Sequence, residues 1–271
     1  MIGDCSACGY KKALSVTMKD GKELYHCHAG CSQNDVIASI RGRSLLPTLP
    51  CTEAPRRINQ NTRDYIRHLW QSSLPAQGTL VAIYLTIRAI GGDIPSALRL
   101  LPDYSHKPTG TRWPVMLAAI TDIHGRLQAV HRTYLARDGK GKSQVEPAKM
   151  TLGPVAGYAV HLAPAGETLA LAEGIETALS VMLSTGIPAW STISAGGIRQ
   201  LILPPLPLAR EVIICADNDA NRCGQYAARA AASRWRDEGR CVRVALPPKT
   251  GTDFNDMMKN EPAEETSHAS T

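Results

Sequence analysis

Thr168-Leu-Ala-Leu-Ala-Glu-Gly174 and Glu211-Val-Ile-Ile-Cys-Ala-Asp-Asn-Asp219 decide how this chain is read. Each is a short, unbroken apolar run that stops at acidic residues. A strand covered on both faces of its sheet reads this way, because side chains on both sides need apolar neighbours. The first run is followed by an Ala/Leu/Met-rich helical segment to about Ser184. A second apolar run, Ala189-Trp-Ser-Thr-Ile193, precedes a Gly-Gly turn and a short helix to Leu203. The Glu211 run leads into a long Ala/Arg helix around 221–238, and Cys241-Val-Arg-Val-Ala-Leu246 makes a fourth strand. Strict alternation of strand and helix predicts an α/β unit: a four-stranded parallel sheet flanked by helices.

In open parallel sheets the ligand crevice lies beyond the carboxyl ends of the strands. Glu173 directly follows the first run, Asp217 and Asp219 follow the third, and Asp253 and Asp256 lie just past the fourth. If the strands are neighbours, these carboxylates converge. Hard oxygen donors without thiolates suit magnesium or manganese, held partly through water and substrate phosphates. An Asp-x-Asp after a strand is also a common turn or helix cap. Acidic motifs at the ends of successive apolar strands are far more specific than any one alone.

Outward from this unit the composition changes. The chain has 271 residues and a net charge of +6, with 44% apolar and 20% charged residues, as in an ordinary globular protein. Residues 1–150 carry 20 Lys and Arg against 11 Asp and Glu, a net of +9, whereas residues 151–271 are net −3. A basic front joined to an acidic back fits a nucleic-acid grip on a cation-binding half, and uneven solvated charge would look the same. No run approaches a membrane span, since Thr79 to Ile90 is broken by Arg88, and the start lacks a signal-peptide pattern. A cytoplasmic protein is the expectation.

Cys5-Ser-Ala-Cys8 and Cys27-His-Ala-Gly-Cys31 are two close pairs 18 residues apart, the knuckle spacing of a tetrahedral structural zinc site. His26 and His28 flank Cys27, but adjacent ligands strain the geometry, so four thiolates are expected. Cys51, Cys215, Cys223 and Cys241 have no such spacing. The chain divides into a zinc module at 1–40, a basic linker and helix at 41–78, a mixed α+β subdomain at 79–163, the parallel unit at 164–260 and a disordered tail at 261–271. Thr62 is expected to cap a helix to Leu69. Trp113–Ile120 and Leu127–Tyr134 are expected to form a hairpin around Asp122-Ile-His-Gly125.

Residues 168–260 resemble a Toprim domain, the metal-binding fold of bacterial-type primases, topoisomerases and some nucleases. The matching pieces are Leu171-Ala-Glu-Gly-Ile-Glu-Thr177, Ile193-Ser-Ala-Gly-Gly197, Ile213-Ile-Cys-Ala-Asp-Asn-Asp219 and Gly251-Thr-Asp-Phe-Asn-Asp256. Cys5 to Ile40 is similar to a primase zinc finger. Arg112 to Tyr134 and Pro147-Ala-Lys-Met-Thr-Leu-Gly-Pro154 resemble the primase-core subdomain. The order fits the bacterial-type DNA primase family, in particular compact primase-like proteins of phages, plasmids and integrated elements.

The resemblance implies template-directed synthesis of short RNA primers on single-stranded DNA from ribonucleoside triphosphates. It implies Glu173, Asp217 and Asp219 as catalytic residues that hold Mg²⁺ or Mn²⁺, with Asp253 as a further ligand. Arg132 and Lys149 match basic positions that hold nucleotide phosphate or template backbone, while Lys142 lies on a loop expected to be mobile and to touch backbone non-specifically. Cys5, Cys8, Cys27 and Cys31 would hold a structural Zn²⁺. No helicase-interaction domain is expected, so a replicative helicase would be a separate partner. Two departures stand out: an Asp common in replicative primases is Thr177, beside Glu176, and the glycine usually close behind the Asp-x-Asp is delayed to Gly224. A non-catalytic zinc/Toprim DNA-binding accessory and a Toprim nuclease are the alternatives. The latter usually comes with an ATPase, and no Gly-x-x-x-x-Gly-Lys-Ser/Thr occurs here.

Overall fold

The computed structural model describes residues 2–6, 14–19, 22–27, 33–40, 58–218 and 223–260. The first part of the expected linker, the expected tail at 261–271, and Cys8, Cys31 and Asp219 lie outside the described residues. At the amino terminus, β1 (Ile2–Gly3), β2 (Leu14–Lys19) and β3 (Lys22–Cys27) form an antiparallel sheet in that order, followed by α1 (Gln33–Ile40). Leu14 lies opposite Cys27, and these two pack with Cys5 and Val36 in a four-residue core.

The second unit begins with α2 (Gln60–Ser72), β4 (Leu74–Pro75) and α3 (Leu80–Thr86). The cap of α2 is Asn59, not Thr62: the Asn59 side chain accepts a 2.8 Å bond from the Thr62 backbone N–H. Thr62 supplies one of the donors that a cap must satisfy. There follow β5 (Leu98–His106), β6 (Thr111–Thr121), β7 (Leu127–Tyr134) and β8 (Lys149–Leu152), giving an antiparallel sheet in the order β4-β5-β6-β7-β8. The β6–β7 turn is closed by Asp122, whose carboxylate accepts from the backbone N–H groups of His124 and Arg126 and pairs with the Arg126 guanidinium. Alternation along the strands gives this sheet two buried faces. Val115, Leu117, Val130 and Tyr134 pack under α2, whereas Met116, Ala118, Ile120 and Ala129 point the other way.

That other face packs on a third unit: β9 (Val160–His161), β10 (Thr168–Ala172), α4 (Ile175–Thr185), β11 (Ala189–Ser191), α5 (Ala195–Gln200), β12 (Glu211–Cys215), α6 (Cys223–Asp237), β13 (Cys241–Ala245) and α7 (Phe254–Asn260). The sheet order is β13-β12-β10-β11-β9. Four strands are parallel as predicted, but the sheet has a fifth, because β9 adds an antiparallel edge beside β11. Its His161 ring stacks on Trp190 at 3.6 Å between centroids. One core runs through both units, with Tyr84, Leu85, Met116 and Ile120 packed in the same cluster as Ala172, Ile175 and Leu179. Burying both sheets in a common core fixes their mutual placement, and with it the placement of whatever side chains line the seam.

Candidate functional site

Glu173 leaves the end of β10 and Asp217 leaves the end of β12. These are adjacent parallel strands, with Ala172 opposite Cys215. From β10 the chain crosses to β11 on one side and then returns to β12 on the other. The two carboxylates therefore stand at the switch point of the sheet, where the loops above neighbouring strands diverge and leave a crevice. Local bonds hold Glu173 there. The Ser191 hydroxyl donates to the Glu173 carbonyl oxygen at 2.7 Å, and the Thr192 backbone N–H donates to the Ala172 carbonyl at 2.9 Å. A Cβ added at Gly224 would lie 2.8 Å from the Glu173 Oε1, so only glycine leaves the carboxylate its position. The displaced glycine of the sequence thus lies in space beside the acid it serves.

The loop after β12 is tied to the one after β13. The Asn218 backbone N–H donates to the Thr252 carbonyl at 3.2 Å, Gly251 N–H donates to Asn218 O at 2.7 Å, and the Asn218 side chain donates to Pro247 O at 2.9 Å. This brings Asp253 alongside. Asp253 is the cap of α7: its Oδ1 accepts from the Asp256 N–H at 2.9 Å, and its Oδ2 accepts from the Thr177 hydroxyl at 3.4 Å. Thr177 therefore meets Asp253 instead of supplying a carboxylate of its own. Asn255, buried in the same motif, donates to the Arg88 carbonyl at 2.7 Å and the Ser180 hydroxyl at 2.9 Å, pinning α7 against the turn that follows α3 and against α4.

A cationic flank comes from the antiparallel sheet. Lys149, on β8, pairs with Glu176 on the first turn of α4 at 3.1 Å, and the Tyr84 hydroxyl of α3 donates to the other Glu176 oxygen at 2.6 Å. A Cβ on Gly174 would lie 3.6 Å from Glu176 Oε2, so the ion pair sits against the Glu173-Gly174 segment. Burial alone would raise the Glu176 carboxyl. The Lys149 charge, the Tyr84 hydroxyl and the Lys142 charge outweigh it and hold the group well below the usual carboxylate range. Burial and the Lys149 charge draw Lys142 below an ordinary lysine, while Glu176, with Asp253, pulls the other way. Arg88 lies over the Tyr84 ring at 4.7 Å. Beneath them His131 bonds the Thr151 hydroxyl at 2.8 Å, and burial with the Lys149 charge pushes it down to about 3.

The structure thus brings Glu173, Asp217, Asp253, Lys149 and Lys142 to one seam. The segment around Lys142, expected as a mobile loop, is a closed turn: Ala136 N–H bonds Gly141 O, and Leu135 bridges Lys142. Arg132 is not in the seam. It pairs across the sheet with Met150, one residue out of phase with the Thr133–Lys149 pair, and so points to the α2 face. Tyr84, Glu176 and Arg88 were not singled out from sequence. A carboxylate at position 176, the one charged residue on its helix, is the one signal that could have marked them.

Oxygen donors at adjacent strand ends, with Gly224 keeping the space beside Glu173 clear, suit a hard divalent cation. Among the described residues no group of three or more His, Cys, Asp or Glu is gathered as a metal cage, and Asp219, Cys8 and Cys31 lie outside them.

Residues 60–162 match a family described as a domain of unknown function (DUF7146), and residues 168–264 match the Toprim domain family. No curated protein matches the chain. Among solved structures, a DNA primase domain from Pseudomonas aeruginosa aligns with a TM-score of 0.51 at 15% identity, over 74% of this chain and 75% of that one. A DnaG primase catalytic domain bound to ssDNA aligns with 0.51 at 16% identity, over 76% and 80%. A DnaG catalytic core aligns with 0.51 at 16%, over 74% and 75%. Residues 168–264 thus form a Toprim domain, and about three quarters of the chain shares the fold of the primase catalytic domains above.

Proposed function

We propose that the chain is a primase-like nucleotidyltransferase that joins ribonucleotides into short RNA primers on a single-stranded DNA template. One observation carries this reading: the switch-point acids Glu173 and Asp217 share a seam with Lys149 of β8 and Lys142 of the turn between β7 and β8. That arrangement offers a metal-binding edge and a phosphate-binding edge to one substrate. In the reaction the primer 3′ oxygen forms a bond to the α-phosphorus of the incoming triphosphate, the α–β bridging bond breaks, and pyrophosphate leaves. Glu173, Asp217 and Asp219 would hold Mg²⁺ or Mn²⁺, which when bound lowers the pKa of the attacking hydroxyl and offsets charge on the leaving group. Lys149 and Lys142 bind and orient the phosphates. Glu176 keeps Lys149 at the Glu173-Gly174 segment. Asp253 sets the α7 loop beside the acids and offers its remaining lone pairs to the same ion.

At the amino terminus, Cys5, two residues past β1, and Cys27, at the end of β3, are buried in one small core, as a small zinc module requires. With Cys8 and Cys31 they would complete a four-thiolate structural site in residues 1–40. The further divisions follow the sequence reading: a basic linker and helix at 41–78, a primase-core subdomain at 79–163, the Toprim catalytic domain at 164–260 and a tail at 261–271. A separate replicative helicase would be the partner. Among the described residues no helix is long and apolar enough to cross a membrane, and the reaction belongs in the cytoplasm, where template and triphosphates are.

The test is primer synthesis on mixed-sequence single-stranded DNA with labelled ribonucleotides and Mg²⁺ or Mn²⁺, beside Asp217→Asn. Short labelled products that disappear in the variant, by about a hundredfold or more, support the reading. Asp217-dependent fragmentation of the template would make it a nuclease. Tight DNA binding without product, even with a helicase added, would make it an accessory protein.

A further inference from the structure

The parallel sheet is thinly covered where α7 lies on it. α7 has seven residues, about 10 Å of helix, whereas the five-residue strands β12 and β13 run for about 16 Å. The sheet's own side chains do not make up the difference. On this face Ala170 stands opposite Ile213, and Ala245 opposite Cys215. Ile213 is only half-buried although its strand is an inner one. What remains is a cavity of about 200 Å³ over these four residues, roofed by Phe254, Met257 and Met258 and walled by α4 at Ser180, Val181 and Thr185. Ser184, Thr185 and Met257, all exposed, lie at its mouth.

The lining selects an occupant. Among the described residues, none that lines the cavity carries a charge. Two of its hydroxyls are engaged: Ser180 donates to the Glu176 carbonyl and accepts from the Asn255 side chain, each at 2.9 Å, and Thr185 donates to the Val181 carbonyl at 2.6 Å. A charged ligand would leave water for walls that offer it nothing, and a peptide would bring backbone amides that go unpaired. An apolar cavity of about 150 Å³ stays dry and takes benzene, so this one has room for a somewhat larger ring system. Methionines suit the roof, since they adapt their shape and meet ring edges through sulfur. We propose that the cavity under α7 is a binding site for a small, uncharged aromatic molecule. Its place in the fold gives such a ligand a consequence. Phe254 directly follows Asp253, and Cys215 lies two residues before Asp217. A ring held between them ties α7 to β12 and steadies Asp253 relative to Asp217. Occupancy is measured without synthesis, so the preceding reading can fail while this one stands.

The experiment is an NMR titration of the full chain, labelled with ¹³C at its methionine methyl groups, with indole. The Met257 and Met258 signals, assigned by Met257→Leu and Met258→Leu, are expected to shift and saturate with a Kd of about 1 mM or tighter, as a ligand of about nine non-hydrogen atoms allows. Met18 and Met150, distant in the fold, stay unmoved. Benzoate and benzamidine, charged rings of the same atom count, are expected to bind about tenfold or more weakly. Ala245→Leu on the floor and Ser184→Phe at the exposed mouth fill the space, and each variant that keeps the parent's melting temperature is expected to lose the shifts. Indole should also slow amide exchange along α7. The site is overturned if Met257 and Met258 do not shift, shift without saturating, or respond in both filled variants as in the parent. Equal binding of benzoate or benzamidine overturns the ligand class, and unchanged exchange overturns the link to α7.

Discussion

At position 176 a carboxylate lies on a helix that is otherwise apolar or small, 7% exposed at its side chain, between the phenol of Tyr84 on α3 and the ammonium of Lys149 on β8. Replacing it by an amide removes the charge that Lys149 answers. Because Lys149 is 36% exposed, water takes over part of the lost pairing. Glu176→Gln is therefore expected to cost about 1–3 kcal/mol, read by thermal or urea unfolding. Tyr84→Phe should cost about 1 kcal/mol by removing a single hydrogen bond. His131 gives a second prediction at this scale. Its ordinary value is 6.5 and burial pushes it to about 3. Above pH 6.5 neither state binds the proton. Below it the unfolded chain takes up a proton that the folded chain refuses, so stability falls as pH drops toward 3, by up to about 1.4 kcal/mol per unit. Glu176 adds to the loss only in more acid solution, below its ordinary 4.5. His131→Gln should flatten the dependence of melting temperature on pH between 6.5 and 4.5, and a variant with an unchanged slope would refute this.

Among the elements, the four parallel strands were legible because each is a short, mainly apolar run closed by an acid or a turn, β13 alone carrying a charge, Arg243, in its middle. The predicted runs 189–193, 211–216 and 241–246 shorten by one or two residues at their carboxyl ends. β4 and β9 were not legible: two residues carry no alternation, and only the neighbouring strand makes them strands. The acids at the strand ends could be read for the same reason as the strands, since topology puts them together. The Tyr84–Glu176 bond spans 92 positions and depends on the packing of two separate sheets, which no local pattern encodes. Arg132 and Lys149 look equivalent in sequence, but a register difference of one sends them to opposite faces. The turn into α5 shows how strictly an element can be specified. A Cβ at Gly197 would lie 2.0 Å from the Thr192 carbonyl oxygen, while Gly197 N–H is already bonded to the Ser194 hydroxyl. Gly197→Ala is expected to displace the backbone that buttresses Glu173, at a cost of about 3 kcal/mol or more. Unfolding and the activity of Asp217-dependent synthesis should fall together.

Across the whole molecule, charge and fold are divided alike: the basic front contributes lysines to the seam and arginines to the outer face, and the acidic Toprim half contributes the carboxylates. Neither half makes the site alone. If the amino-terminal module is a zinc domain, the purified chain should release about one zinc per molecule on thiol modification. Cys27→Ala should release none, with the Toprim half still folded. The measurement that goes most directly to the central claim uses Fe²⁺ in place of Mg²⁺, with ascorbate and peroxide, to cut the backbone beside the bound metal. The account predicts cleavage at 173–174 and at 217–219, suppressed by excess Mg²⁺ and lost in Asp217→Asn. Cuts elsewhere, or none in a protein that still makes primers, would place the reacting metal outside the switch point and contradict it.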